Sequence, residues 1–103
     1  MDARAKFDEI VEDLEPRGVL PGALFGSHSL TLDGTAFACL KNEQFAVRLG
    51  TETYVEALAL EGAEPFDPSG KGRPFKDWVA LPVVQASEWG RMAEAALVAL
   101  EDR

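Results

Sequence analysis

Trp89, Met92, Ala93, Ala96, Leu97 and Leu100 fall at i, i+3, i+4, i+7, i+8 and i+11. That spacing draws one continuous apolar stripe along a helix. A stripe of this length must be covered, and the chain offers a flat surface to cover it. From Phe45 to Leu49, Phe45, Val47 and Leu49 point one way and Ala46 and Arg48 the other, the period of two expected of a strand with one buried face. A long helix lying on such a sheet makes the protein α+β. Gly90 inside the helix costs ~1 kcal/mol relative to alanine, which the packed stripe must offset.

The remaining elements follow from the same periodicities. Phe7, Ile10, Val11 and Leu14, separated by Asp8, Glu9, Glu12 and Asp13, predict an amphipathic helix over about residues 3 to 15, stopped by Pro16 and Gly18. Three β-type segments follow, Ala23 to Leu32, Ala36 to Leu40 and Phe45 to Leu49. The turn signals Asp33-Gly34 and Lys41-Asn42-Glu43-Gln44 separate them. A second helix is expected from about Thr51 to Glu61. Either Thr51 or Thr53 could cap it, Thr53 forming a capping box with Glu56, and Gly62 suits its left-handed exit. Glu64 to Asp67 and Phe75 to Leu81 read as two further strands, the second closed by Pro82. The predicted order is α-β-β-β-α-β-β-α, a two-layer fold with a five-stranded antiparallel sheet and its helices packed on one face.

With 103 residues, 11.2 kDa and 47% hydrophobic content, the chain can build one continuous core, so residues 1–103 are expected to form a single domain. A formal net charge of -8 and a pI near 4.5 oppose unaided DNA binding, which depends on lysine and arginine displacing counterions from phosphates. The single Cys39 cannot form an intrachain disulfide, and one His without a Cys pair gives no ligand set for zinc. No apolar run approaches the ~20 residues a membrane helix needs. The first fifteen residues carry six acids, the wrong charge for a secretion signal. A cytoplasmic location, no membrane attachment and no cofactor are expected.

The stretch PFDPSGKGRPFKDW, Pro65 to Trp78, invites a phosphate-loop reading because Gly70, Lys71, Gly72 and Arg73 are consecutive. A Walker-type loop would need glycine where Pro65 stands and Ser or Thr where Gly72 stands. A dinucleotide loop would need a third glycine where Phe75 stands, and a helix where Pro74 leads into a strand pattern. Both motifs are absent. What remains is a loop whose glycines supply positive φ. Lys71, Arg73 and Lys76 form a local basic cluster beside Trp78, and these four residues are the candidate partner- or anion-binding set. Ser27, His28 and Ser29 do not make a nucleophile and base, since adjacent strand side chains point to opposite faces. Cys39, between Ala38 and Leu40, reads as a buried inert thiol. The acids of the first and last helices read as solvated faces, and Trp78 and Trp89 as core or subunit-contact residues. No catalytic and no metal-binding residue is assigned.

Three blocks, LFGSHSLTLDGTAFACL (Leu24 to Leu40), FAVRL (Phe45 to Leu49) and GAEPFDPSGKGRPFKDWVALP (Gly62 to Pro82), together resemble the N-terminal domain of the TfoX/Sxy competence-regulator family. The resemblance runs from the first helix to the last. It implies a two-layer, secretion-chaperone-like α+β fold and a link to the regulation of competence gene expression, and it brings no catalytic motif to these positions.

The function expected from these readings is a non-enzymatic regulatory or adaptor domain that acts through protein contacts, with a homodimer among its arrangements. The Gly70 to Trp78 loop and an exposed sheet edge are its candidate surfaces. A small-molecule or anion sensor, or an enzyme, using Lys71 and Arg73 stands as the alternative. Direct DNA binding ranks behind both.

Overall fold

Asp2 opens the first helix, α1 (Ala3–Leu14), by accepting the Arg4 backbone N–H at 3.1 Å. This computed structural model describes residues 2–102. The helix ends where Pro16 forces a 3₁₀ turn, Glu15–Arg17, and Gly18 takes the left-handed conformation at φ +91°. Four strands follow in a meander: β1 (Leu20–Leu24), β2 (Ser27–Leu32), β3 (Thr35–Lys41) and β4 (Gln44–Arg48). After α2 (Thr51–Leu58) come the two-residue β5 (Glu64–Pro65) and β6 (Trp78–Leu81), and α3 (Ala86–Glu101) closes the fold.

The sheet is fully antiparallel with order β1-β2-β3-β4-β6-β5. It has six strands rather than five, because the predicted segment Ala23 to Leu32 is folded back on itself at Phe25-Gly26. All three meander turns have two residues, and both residues of each have positive φ: Phe25 and Gly26 (+54°, +73°), Asp33 and Gly34 (+51°, +82°), Asn42 and Glu43 (+51°, +62°). This is the turn whose twist matches that of paired strands. Phe is an unusual residue for it, so the first hairpin carries no local sign in the sequence.

The helices cover one face as expected. Phe7 and Ile10 of α1, and Trp89, Met92, Ala93, Ala96 and Leu97 of α3, are buried against Leu30, Ala38, Phe45, Val47, Val79 and Leu81 of the sheet. Phe45 lies between two rings, stacked on Trp89 at 5.3 Å and tilted against Phe7 at 6.2 Å. The Trp89 indole N–H finds the Pro82 carbonyl at 3.2 Å, so the largest core side chain leaves no buried donor unmet.

Two local expectations are corrected. α2 starts on Gly50 with no side-chain cap, so neither Thr51 nor Thr53 caps it; Thr53 lies inside the first turn and cannot form the box with Glu56. The strand expected from Phe75 begins only at Trp78, because Phe75 to Trp78 closes a turn, the Trp78 N–H donating to the Phe75 carbonyl at 3.2 Å, and Asp77 sits at φ +69°, outside strand geometry.

Candidate functional site

The second face of the sheet is not left to solvent. Gly22, Ser29, Cys39, Ala46, Ala80 and Glu64 stand opposite one another in register, one from each strand, as a row that is mostly small side chains. Cys39, Ala46 and Ala80 are buried there with Phe66 and Trp78, and Leu24 packs against them. The small row leaves depth for the rings that cover it, and those rings come from the segment between β5 and β6. Burial pushes the Cys39 thiol up to about 11, with Lys41 pulling weakly the other way, so the thiol is neutral and shielded.

The covering segment is organised by one carboxylate. Asp67 Oδ1 accepts from the Ser69 backbone N–H (3.1 Å), the Ser69 hydroxyl (2.8 Å) and the Gly70 N–H (3.1 Å). Oδ2 accepts from the N–H groups of Gly72 (2.7 Å) and Arg73 (3.0 Å). The Ser69 hydroxyl, foremost, and the three loop amides hold the Asp67 carboxyl below the usual carboxylate range. Successive amides turned inward would make a concave anion site; here the chain's own aspartate fills it. An incoming phosphate would have to displace Asp67, so the glycines of GKGR serve the loop's backbone. Gly70 and Gly72 take φ of +69° and +77° to aim those amides.

The loop is also tied to the sheet. Phe66 N–H donates to the Trp78 carbonyl (3.1 Å), Phe75 N–H to the Phe66 carbonyl (2.8 Å), and Leu49 N–H to the Asp77 carbonyl (2.9 Å). Around this frame Phe25, Phe66, Phe75 and Trp78 form a linked aromatic cluster. Phe25 meets Phe75 edge-on at 5.1 Å and Phe66 at 6.0 Å, and Trp78 meets Phe66 at 5.8 Å and Phe75 at 6.5 Å. Trp78 is only 7% exposed, whereas Phe25 and Phe75 are 37% and 41% exposed. Of the four residues picked out from the sequence, Lys71, Arg73 and Lys76 are exposed on the loop, and Trp78 is its buried floor rather than a contact residue. The exposed aromatic surface belongs to Phe25 and Phe75.

Charge divides the molecule in the same way. Residues 18–50 and 62–82, which form the sheet and its covering loop, hold five acids and five bases and are neutral on balance, so none of the formal -8 arises from them. The ion pairs present among the described residues lie on the helical side: Arg4 with Asp8, Lys6 with Glu9, Arg17 with Glu94 and Glu101, Arg91 with Glu56 and Glu88. Lys41, Lys71, Arg73 and Lys76 form no ion pair among those residues, and the Lys41 ammonium donates to the Phe25 carbonyl at 3.4 Å. A shallow trough of about 440 Å³ runs beside the loop between Lys41, Gln44, Pro65, Ser69 and Ala80. A smaller cleft of about 150 Å³ lies elsewhere, where Phe37, Arg48, Gly50, Asp77 and Leu100 meet.

Both sheet edges are poor templates for a further strand. β1 presents Pro21 on its outer row and β5 is two residues long with Pro65, so each edge carries a residue that cannot donate. Asp67 and Phe25 were missed in reading the sequence. Asp-Pro-Ser-Gly is a signal for an aspartate bonding its own backbone and could have identified the first; the ring contacts of Phe25 are long-range and leave no local sign.

Among the described residues no three His, Cys, Asp or Glu side chains gather as a metal ion would require, and no helix is long and apolar enough to cross a membrane. A family model described as the TfoX N-terminal domain matches residues 13–101, nearly the whole chain. A search of curated proteins returned no match.

Proposed function

Because the chain belongs to the TfoX N-terminal domain family, we propose that it is a regulatory or adaptor domain of the cytoplasm that works through a protein partner rather than by catalysis, in the setting of transcription or competence. The observation that carries this reading is the surface of the covering loop. Exposed Phe75 and three exposed cations lie on this loop, whose turn from Ser69 to Arg73 is fixed by the Asp67 carboxylate, and exposed Phe25 of the first hairpin turn packs against Phe75. Aromatic side chains are enriched at protein-contact surfaces, where an apolar centre is rimmed by polar groups. The loop's preformed shape reduces the ordering cost of such a contact. The prolines at both sheet edges make this face, rather than strand pairing, the favoured contact, including any contact between two copies of the chain.

The test is a tagged pull-down from the native cytoplasm with mass spectrometry on retained proteins. Wild type is compared with Lys71→Ala/Arg73→Ala and with Phe25→Ser/Phe75→Ser. A specific protein held by wild type and lost by both variants is the expected result. Equal retention by all three would remove the loop from the function.

A further inference from the structure

The chemistry of the partner can be read from the same patch. We propose, building on the protein-contact reading above, that the loop receives an acidic peptide segment carrying an apolar anchor, with the anchor seated on Phe25 and Phe75 and the acids meeting Lys71, Arg73, Lys76 and Lys41. The apolar half of this site is explicit: the two rings are in edge contact at 5.1 Å, each more than a third exposed, above the buried floor of Phe66 and Trp78. A side chain laid across them removes apolar surface from water on both sides.

The charged half follows from what the cations lack. On a protein of net charge -8, whose ion pairs among the described residues satisfy Arg4, Lys6, Arg17 and Arg91, the loop's three cations and Lys41 are left without carboxylates. Of the two acids in the loop, Asp67 is turned inward onto five donors, and Asp77, next to Lys76, forms no ion pair with them among the described residues. Complementary charge raises the rate of encounter and sets the partner's orientation.

The overall charge selects an acidic peptide over a nucleic acid. A nucleic-acid strand carries a phosphate at every nucleotide, and its backbone would meet the field of the whole molecule, net -8, with only four local cations to hold it. A short peptide with a few glutamates and one or two large apolar side chains matches four cations and two rings without extending over the acidic helices.

Trp78 lies 6.5 Å from the Phe75 ring and reports on the patch, so the experiment uses its fluorescence in a Trp89→Phe background. The probe is a twelve-residue peptide of glycine and serine that carries four glutamates and two central leucines. Its controls are the same peptide with glutamine for glutamate, a twelve-nucleotide single-stranded oligothymidine, and buffer of rising salt. The expected result is saturable binding of the acidic peptide, weakened at least tenfold by Lys71→Ala/Arg73→Ala/Lys76→Ala and separately by Phe25→Ser/Phe75→Ser. Binding should also weaken as salt rises, with the glutamine peptide bound at least tenfold more weakly. No saturable binding at millimolar peptide, or equal binding by the charge variant, would overturn the proposal. Preferential binding of the oligothymidine would overturn it in favour of a nucleic-acid contact, and concentration-dependent self-association blocked by the same variants would overturn it in favour of a second copy of the chain. If the peptide fails while the pull-down still retains a loop-dependent protein, only the partner chemistry falls; if both fail, the protein-contact reading falls with it.

Discussion

Replacing Gly70 or Gly72 by valine asks whether the loop backbone is what these glycines are for. Both occupy the left-handed region, at φ +69° and +77°, and a Cβ added at either would meet nothing within 4 Å. Steric clash therefore contributes nothing, and the whole cost is conformational. An L-residue pays ~1–2 kcal/mol in that region, with β-branched valine at the upper end. The backbone cannot relax away from it without withdrawing the Gly70 N–H from Asp67 Oδ1 (3.1 Å) or the Gly72 N–H from Oδ2 (2.7 Å). Each single variant should thus lose about 1–2 kcal/mol. The double variant should lose less than the sum, because the two amides share one carboxylate. For a domain of this size that is a fall in Tm of ~4–8 °C per kcal/mol. Urea unfolding followed by tryptophan fluorescence, with unchanged slope, measures it. Asparagine tolerates the left-handed region, so Gly72→Asn should recover more than half of the loss. Lys71→Ala/Arg73→Ala should stay within about 0.5 kcal/mol of wild type, as exposed side chains with no partner do. Valine variants as stable as wild type, or asparagine as costly as valine, would refute the assignment of these glycines to backbone geometry.

Other consequences concern the rest of the fold. Asp67→Ala should release the loop, read as faster amide exchange at Gly70, Gly72 and Arg73 with little change in the helical core. Because the folded-state pKa of Asp67 is depressed, its contribution is fully present above the ordinary value of 3.8 and is lost as pH falls through the lower folded value. Amide protection in the loop should therefore hold from neutral pH to about 3.8 and fail only in stronger acid, and loss of protection near pH 5 would contradict this. Cys39, fully buried with its thiol pushed up to about 11, should resist a thiol reagent at neutral pH until urea unfolds the protein. Prompt labelling of the native protein would show that the second face opens. Trp89→Ala should cost ~3–5 kcal/mol, since it removes a fully buried ring stacked on Phe45, while the Pro82 carbonyl keeps the Gln85 N–H at 2.9 Å. A loss below 1 kcal/mol, measured by urea unfolding, would contradict that packing.

Elements whose residues interact within a few turns were legible in the sequence. The stripe from Trp89 to Leu100 and the alternation from Phe45 to Leu49 announce α3, β4 and the helix-covered face, because 3.6 and 2 are local periods. Asp33-Gly34 marks its hairpin for the same reason. Phe25-Gly26 does not, since a phenylalanine in a two-residue turn makes sense only once Phe66 and Phe75 are seen across the sheet. The second buried face was hidden similarly. Cys39, Ala46 and Ala80 look like ordinary strand residues until the register sets them in one row under the loop. Of the candidate residues, Lys71, Arg73 and Lys76 lie exposed on the loop as a basic cluster, yet Trp78 is floor and Phe25 is surface. Only tertiary contacts distinguish those two roles.

The contact surface is tested most directly by a photo-crosslinking side chain placed in living cells at Phe75, with a second at Val55, which is 64% exposed on α2 in the helical layer. If the covering loop is the contact surface, position 75 captures a discrete protein band that Lys71→Ala/Arg73→Ala abolishes, and position 55 captures none. Capture from position 55 alone, or from neither position, would show that the loop is only the lid of the second sheet face.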